Sequence, residues 1–147
     1  MRDIALILHV AAGLVGLVFG PLAVIVTLRS RQLNWAGEIF HWAVVAVCLT
    51  AMVMVPYDWD RLWMFWPIAI VSYLFVYFGQ RAAESPGGFS YRGVLRGYGG
   101  GWIALWTAIL VVSFTEHPWM WAIPAVVGTA VIEALCLRPN AVGGRRS

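Results

Sequence analysis

The stretch IALILHVAAGLVGLVFGPLAVIVTL, Ile4–Leu28, decides the fold class. Only His9 and Thr27 interrupt an apolar run of 25 residues, and about 20 suffice to cross a hydrocarbon core of about 30 Å. A secretory signal does not fit: the run is too long, Asp3 sits in its leading segment, and no small-x-small cleavage site follows. Four more apolar stretches come after it, Ala36–Pro56, Leu62–Gly79, Gly101–Thr115 and Trp119–Leu137. The expected fold is all-α, an integral membrane bundle of five transmembrane helices in one domain over 1–147. Those spans (4–28, 36–56, 62–79, 101–115 and 119–137) take two-thirds of the chain and leave no room for a soluble domain. Pro56 and Asp58-Trp59-Asp60 close the second span, Pro67 is expected to kink the third, and the fourth is short enough to borrow Tyr98-Gly99-Gly100.

Composition agrees. The chain is 61% hydrophobic and 12% charged, against about 45–50% and about 25% in ordinary soluble domains. Mean hydropathy is +0.78. Disorder, a disulfide scaffold and a nucleic-acid-binding domain are disfavoured. Cys48 and Cys136 lie inside apolar stretches with no metal-ligand spacing, which reads as buried packing.

All ten basic residues are Arg, and the net charge is +3. With five crossings and the N-terminus outside, Arg29, Arg31, Arg81, Arg92, Arg96, Arg138, Arg145 and Arg146 fall inside, and only Arg2 and Arg61 outside. That bias predicts an N-out, C-in orientation. Trp59, Trp63, Trp66, Trp119 and Trp121 then form an outer aromatic belt, with Trp35, Trp42 and Tyr98 toward the inner one.

His9, Gly13, Gly16 and Gly20 share one face of the first span, and Gly16 with Gly20 makes a GxxxG groove expected to face the bundle. Gly37, His41, Val44 and Cys48 repeat the arrangement in the second span. Tyr73, Tyr77 and Gln80 form a polar-edged stripe ending beside Arg81. In the fifth span Ala125, Gly128, Thr129, Glu133 and Cys136 share most of a face. An ionisable residue within lipid costs roughly 2.5–3.5 kcal/mol at the membrane centre, so Glu133 is paired, protonated or reaching for headgroups. Arg81, Arg29 and His41 are its expected partners, which makes Glu133, His41, Tyr77 and Arg81 a candidate proton or polar network.

His9 and His41 are the candidate cofactor residues, because paired intramembrane histidines hold b-type haem. Their depths in the five-span topology put them roughly 15 Å apart vertically, too far to share one iron. No cofactor is therefore expected, with haem the alternative. His9, Asp58, Asp60, Glu116 and His117 offer ligand types for a metal, but no HxxxH or HExxH spacing. The longest loop, Gly79–Gly101, contains the turn Ser85-Pro86-Gly87-Gly88, after which Arg92 and Arg96 sit four apart on a short interfacial helix aimed at anionic lipid headgroups. No nucleophile–base pair, carboxylate dyad or phosphate loop appears, which points away from an enzyme.

Residues 9–53 resemble the start of an uncharacterised bacterial multi-pass membrane family, a domain of unknown function. The resembling elements are His9-Val10-Ala11-Ala12-Gly13, Gly20-Pro21, and Gly37 with Phe40, Trp42 and Leu49-Thr50-Ala51. Asn34 and Trp35 stand where that family tends to carry a His-Arg pair. The resemblance implies a bacterial inner membrane and supplies no activity. The leading expectation is a non-enzymatic inner-membrane protein acting through a membrane partner or as an oligomer, with the lipid bilayer as its surroundings and no nucleic acid. A haem- or quinone-associated redox protein and a small proton or ion pathway are the rivals.

Overall fold

The computed structural model describes residues 2–57, 59–84, 89–114 and 119–137. They form α1 (Arg2–Ser30), α2 (Trp35–Met54), a 3₁₀ turn (Val55–Tyr57), α3 (Trp59–Leu62), α4 (Phe65–Glu84), α5 (Tyr91–Ser113) and α6 (Trp119–Leu137). Helices α1 and α2 make one hairpin-like pair, and α4 and α5 another. Helix α5 is central: it packs on α1, α4 and α6, while α2 closes against α4.

Local chemistry explains the boundaries. Helix α1 stops where Arg31 takes a left-handed conformation (φ 53°), its N–H bonded to the Thr27 carbonyl at 2.9 Å. Asn34 then caps α2, its Oδ1 accepting from the N–H groups of Ala36 and Gly37 at 3.0 and 3.2 Å. The same side chain donates through Nδ2 to the fully buried Thr27 hydroxyl at 2.8 Å, tying the cap to the end of α1. Pro56 lies in the 3₁₀ turn that follows α2. Pro67 does not kink a helix. It sits in the first turn of α4, where its missing N–H has no intrahelical role.

The fourth apolar stretch begins ten residues earlier than expected. Residues 91–101 of the segment expected to be a loop are the first half of α5, capped by the Ser90 hydroxyl, which accepts from the Gly93 N–H at 3.1 Å. Gly93, Gly97 and Gly101 repeat at a helical spacing of four and face α4. A Cβ at Gly97 would fall on the backbone of Gly79, so the two helices touch main chain to main chain there. These glycines set a close helix crossing.

Among the described residues, four helices are long and apolar enough to cross a membrane: Asp3–Ser30, Trp35–Tyr57, Tyr91–Val111 and Trp119–Leu137, with mean hydropathy 2.3, 2.1, 1.2 and 1.9. Helix α4, the expected third span, is not one of them. It is 20 residues long, so any 18-residue stretch of it includes both Gln80 and Arg81. The five-span bundle is corrected to four such helices, and the N-out, C-in orientation, which counted sides across five crossings, falls with it.

Their outward faces are apolar, with Ile4, Ile7, Val18, Trp42, Val126 and Val127 all more than half exposed. Water would not tolerate so large a continuous apolar surface. The chain is a multi-pass, all-helical membrane protein. Its core gathers Ala23, Phe40, Val44, Val76, Val94 and Tyr98 where α1, α2, α4 and α5 meet. Trp59, Trp63, Trp66 and Trp119 are exposed near the starts of α3, α4 and α6. Tyr98, expected in an interfacial belt, is fully buried instead.

Candidate functional site: the groove between α4, α5 and α6

Helix α6 packs mainly on α5. Of its residues only Ile132 and Cys136 are buried. Three features fasten it. The Trp121 indole donates to the Phe114 carbonyl at 2.9 Å. A Cβ at Gly128 would collide with Ile103, and one at Gly99 with Ile132, so the glycines admit those side chains. Near the start of α5, Arg96 grips Glu133 with two bonds, Nε to Oε1 at 2.8 Å and Nη2 to Oε2 at 2.7 Å. This two-point geometry is the strong form of a carboxylate–guanidinium contact.

Sequence reasoning identified both ends of this bond without joining them. Glu133 is paired, but with Arg96 and not with the expected Arg81, Arg29 or His41. Arg96 belongs to a long helix rather than an interfacial loop segment, and two of its N–H groups point to Glu133. Arg92 lies one turn earlier on the same helix, exposed, with no hydrogen bond or ion pair among the described residues. It is close enough to add its field to that of Arg96 at Glu133.

Beside this pair, α4, α5 and α6 enclose a cavity of about 500 Å³. Its lining is apolar except at the Arg96–Glu133 end and at Thr107 and Thr129. Thr107 spends its hydroxyl proton on the Ile103 carbonyl at 3.0 Å. A second, shallower hollow of about 370 Å³ lies on the α1–α2 face beside Trp35, Glu38 and Trp42.

The remaining members of the expected network lie on a different side. His41 meets Tyr73 at 6.2 Å between ring centroids, Tyr73 meets Tyr77 at 6.1 Å, and Arg81 donates from Nε to the Tyr77 hydroxyl at 3.2 Å. So His41, Tyr77 and Arg81 form a ladder through Tyr73, and Glu133 is not part of it. His41 Nδ1 has no hydrogen-bond partner among the described residues.

His9 points into the bundle, its Nδ1 lying 3.1 Å from the Val47 carbonyl and 2.9 Å from the Thr50 hydroxyl. A carbonyl can only accept, and Thr50 gives its own proton to the carbonyls of Ala46 and Val47. The Val47 contact therefore calls for the hydrogen on Nδ1. Val47 and Thr50 lie six and nine residues from His41, or about 9–13 Å along α2. The two histidines do not converge on one ligand position. Among the described residues no group of three or more His, Cys, Asp or Glu could hold a metal ion. Asp58, Glu116 and His117, named for such a site, lie outside the described residues, as do the Ser85–Gly88 turn, Arg138, Arg145 and Arg146. Cys48 and Cys136 are buried and free, with the Cys48 thiol donating to the Ala69 carbonyl at 3.2 Å.

Two groups escaped sequence reasoning. Tyr98 fills a slot cut by Gly37 and Gly79 and stands edge-on to Phe40 at 5.8 Å, its hydroxyl without a partner among the described residues. Trp102 fits against Gly20 and donates from its indole to the Leu17 carbonyl at 3.0 Å. The signal for both was the Gly93-xxx-Gly97-xxx-Gly101 repeat, which marks a packed helix rather than a loop.

No protein-family model, no curated protein and no solved structure matches the chain. The resemblance of residues 9–53 to a bacterial membrane family gains nothing from these comparisons.

Proposed function

We propose that this is a non-catalytic membrane protein that works by holding another component of the bilayer against its α4–α5–α6 side. One observation carries the reading. Helix α6 packs chiefly on α5 and leaves between it, α4 and α5 a cavity of about 500 Å³, within the range of about 300–1,000 Å³ usual for ligand sites. The resemblance of residues 9–53 to a bacterial family supports a bacterial inner membrane as its location.

The test is native mass spectrometry of the full chain extracted in mild detergent. The reading expects a membrane component, lipid or protein chain, bound in fixed ratio through size-exclusion chromatography. A bare monomer with only freely exchanging detergent would overturn it.

A further inference from the structure

The α4–α5–α6 groove has a length, a polarity and a charge, and together they specify an occupant. Arg96 and Thr107 mark its two ends along α5, eleven residues apart, which is about 16 Å of helix. That is about half of a hydrocarbon core of about 30 Å, the depth of one leaflet. Val71 and Phe75 form one wall, Ala125 and Ile132 the other, with Gly100 and Ala104 as the floor. The groove is apolar between its polar positions and long enough for one acyl chain. It suits a single extended hydrocarbon chain.

The polar end supplies the sign. Arg96 and Glu133 cancel each other, yet Glu133 uses only two of the five N–H donors of the guanidinium. Three remain for other acceptors. Arg92, exposed and without a partner among the described residues, adds an uncompensated positive charge one turn toward the start of α5, where the helix dipole is also positive. The carboxylate holds the Arg96 fork at the mouth of the groove, and Arg92 adds one positive charge beside it among the described residues.

We propose that the groove binds an anionic phospholipid, one acyl chain lying between α4 and α6 and the phosphate seated on Arg92 and the free N–H groups of Arg96. This rests on the reading above and names the component held. The headgroup must be anionic overall: a zwitterionic lipid brings its own cation to a mouth that already carries an excess positive charge.

The experiment uses full-length protein in detergent with phosphatidylglycerol or phosphatidylcholine of matched chains, lipid occupancy being read by native mass spectrometry. Wild type should retain phosphatidylglycerol in preference to phosphatidylcholine. Arg92→Gln, an exposed change that leaves the fold intact, should reduce that preference about fivefold. Ala125→Phe, which fills the groove, should remove both lipids, while Ala130→Phe on the exposed flank of α6 should remove neither. An unchanged preference in Arg92→Gln, or phosphatidylglycerol still bound to folded Ala125→Phe, overturns the proposal. If wild type instead carries a protein chain in fixed ratio and shows no lipid preference, the lipid assignment fails and the broader reading stands. If wild type carries nothing, both fail.

Discussion

Arg96 and Glu133, 37 positions apart in the chain, meet through two parallel hydrogen bonds of 2.8 and 2.7 Å that join α5 to α6. Each residue alone would be a charge set into an otherwise apolar helix surface. Together they cost less to place in a membrane, because the charges neutralise each other and both carboxylate oxygens accept a hydrogen bond. Both side chains remain about half exposed, at 53% and 42%, so the pair is a surface clasp rather than a core contact.

Removing one partner should therefore harm α6 more than removing both. Glu133→Gln and Arg96→Met are each expected to loosen α6, seen as faster hydrogen exchange of its amides in detergent. The double variant Arg96→Met/Glu133→Leu should recover protection toward wild type. Equal loss in single and double variants would show that the pair does not fasten α6.

Tyr98 presents the opposite situation, a buried hydroxyl with no partner among the described residues. Leaving such a group unsatisfied costs about 1–3 kcal/mol. Tyr98→Phe keeps the ring in its slot and removes that cost, so thermal unfolding in detergent should move to higher temperature. A lower midpoint would mean that the hydroxyl is satisfied by water.

Glycines in this fold are not equivalent. A Cβ at Gly13 meets nothing within 4 Å, whereas one at Gly97 meets the backbone of Gly79. Gly13→Ala should be neutral or stabilising by up to about 1 kcal/mol through helix propensity. Gly97→Ala should destabilise by about 1–3 kcal/mol or more, as overpacking does where main chain cannot move aside. Reversible unfolding of both variants side by side checks the contrast.

The connection from α1 to α2 offers a paired test. Asn34→Ala removes a cap and strands the buried Thr27 hydroxyl, an expected loss of about 1–2 kcal/mol. Arg31→Gly relieves a left-handed conformation that L-residues adopt at a cost of about 1–2 kcal/mol, and should stabilise. The two shifts should have opposite signs in the same unfolding assay.

Much of the fold was legible in the sequence. The 25 residues of Ile4–Leu28 announce a membrane helix, and Gly16 with Gly20 announces a packed face, which the structure fills with Leu105, Trp102 and Phe40. Helix α5 was misread because its glycine run, 97 and 99–101, looks like a loop when taken residue by residue. The four-residue spacing of Gly93, Gly97 and Gly101 carried the helical signal. The third crossing was counted on the apolar stretch Leu62–Gly79, but the helix there, α4, runs on through Gln80 and Arg81, which lower its hydropathy below that of the other long helices.

The sequence by itself determined that this protein lives in a bilayer, because hydropathy adds up locally along a helix and needs no knowledge of neighbours. It also named nearly every polar residue that matters, since ionisable groups are rare enough here to stand out. Only the tertiary structure decided how they combine: Glu133 with Arg96, His41 with Tyr73 and then Tyr77 and Arg81, Tyr98 in the core. Those pairings depend on the register and crossing of helices far apart in the chain. At Gly79 and Gly97 that crossing is set by the absence of two side chains, a short-range steric fact that only the packed helices express.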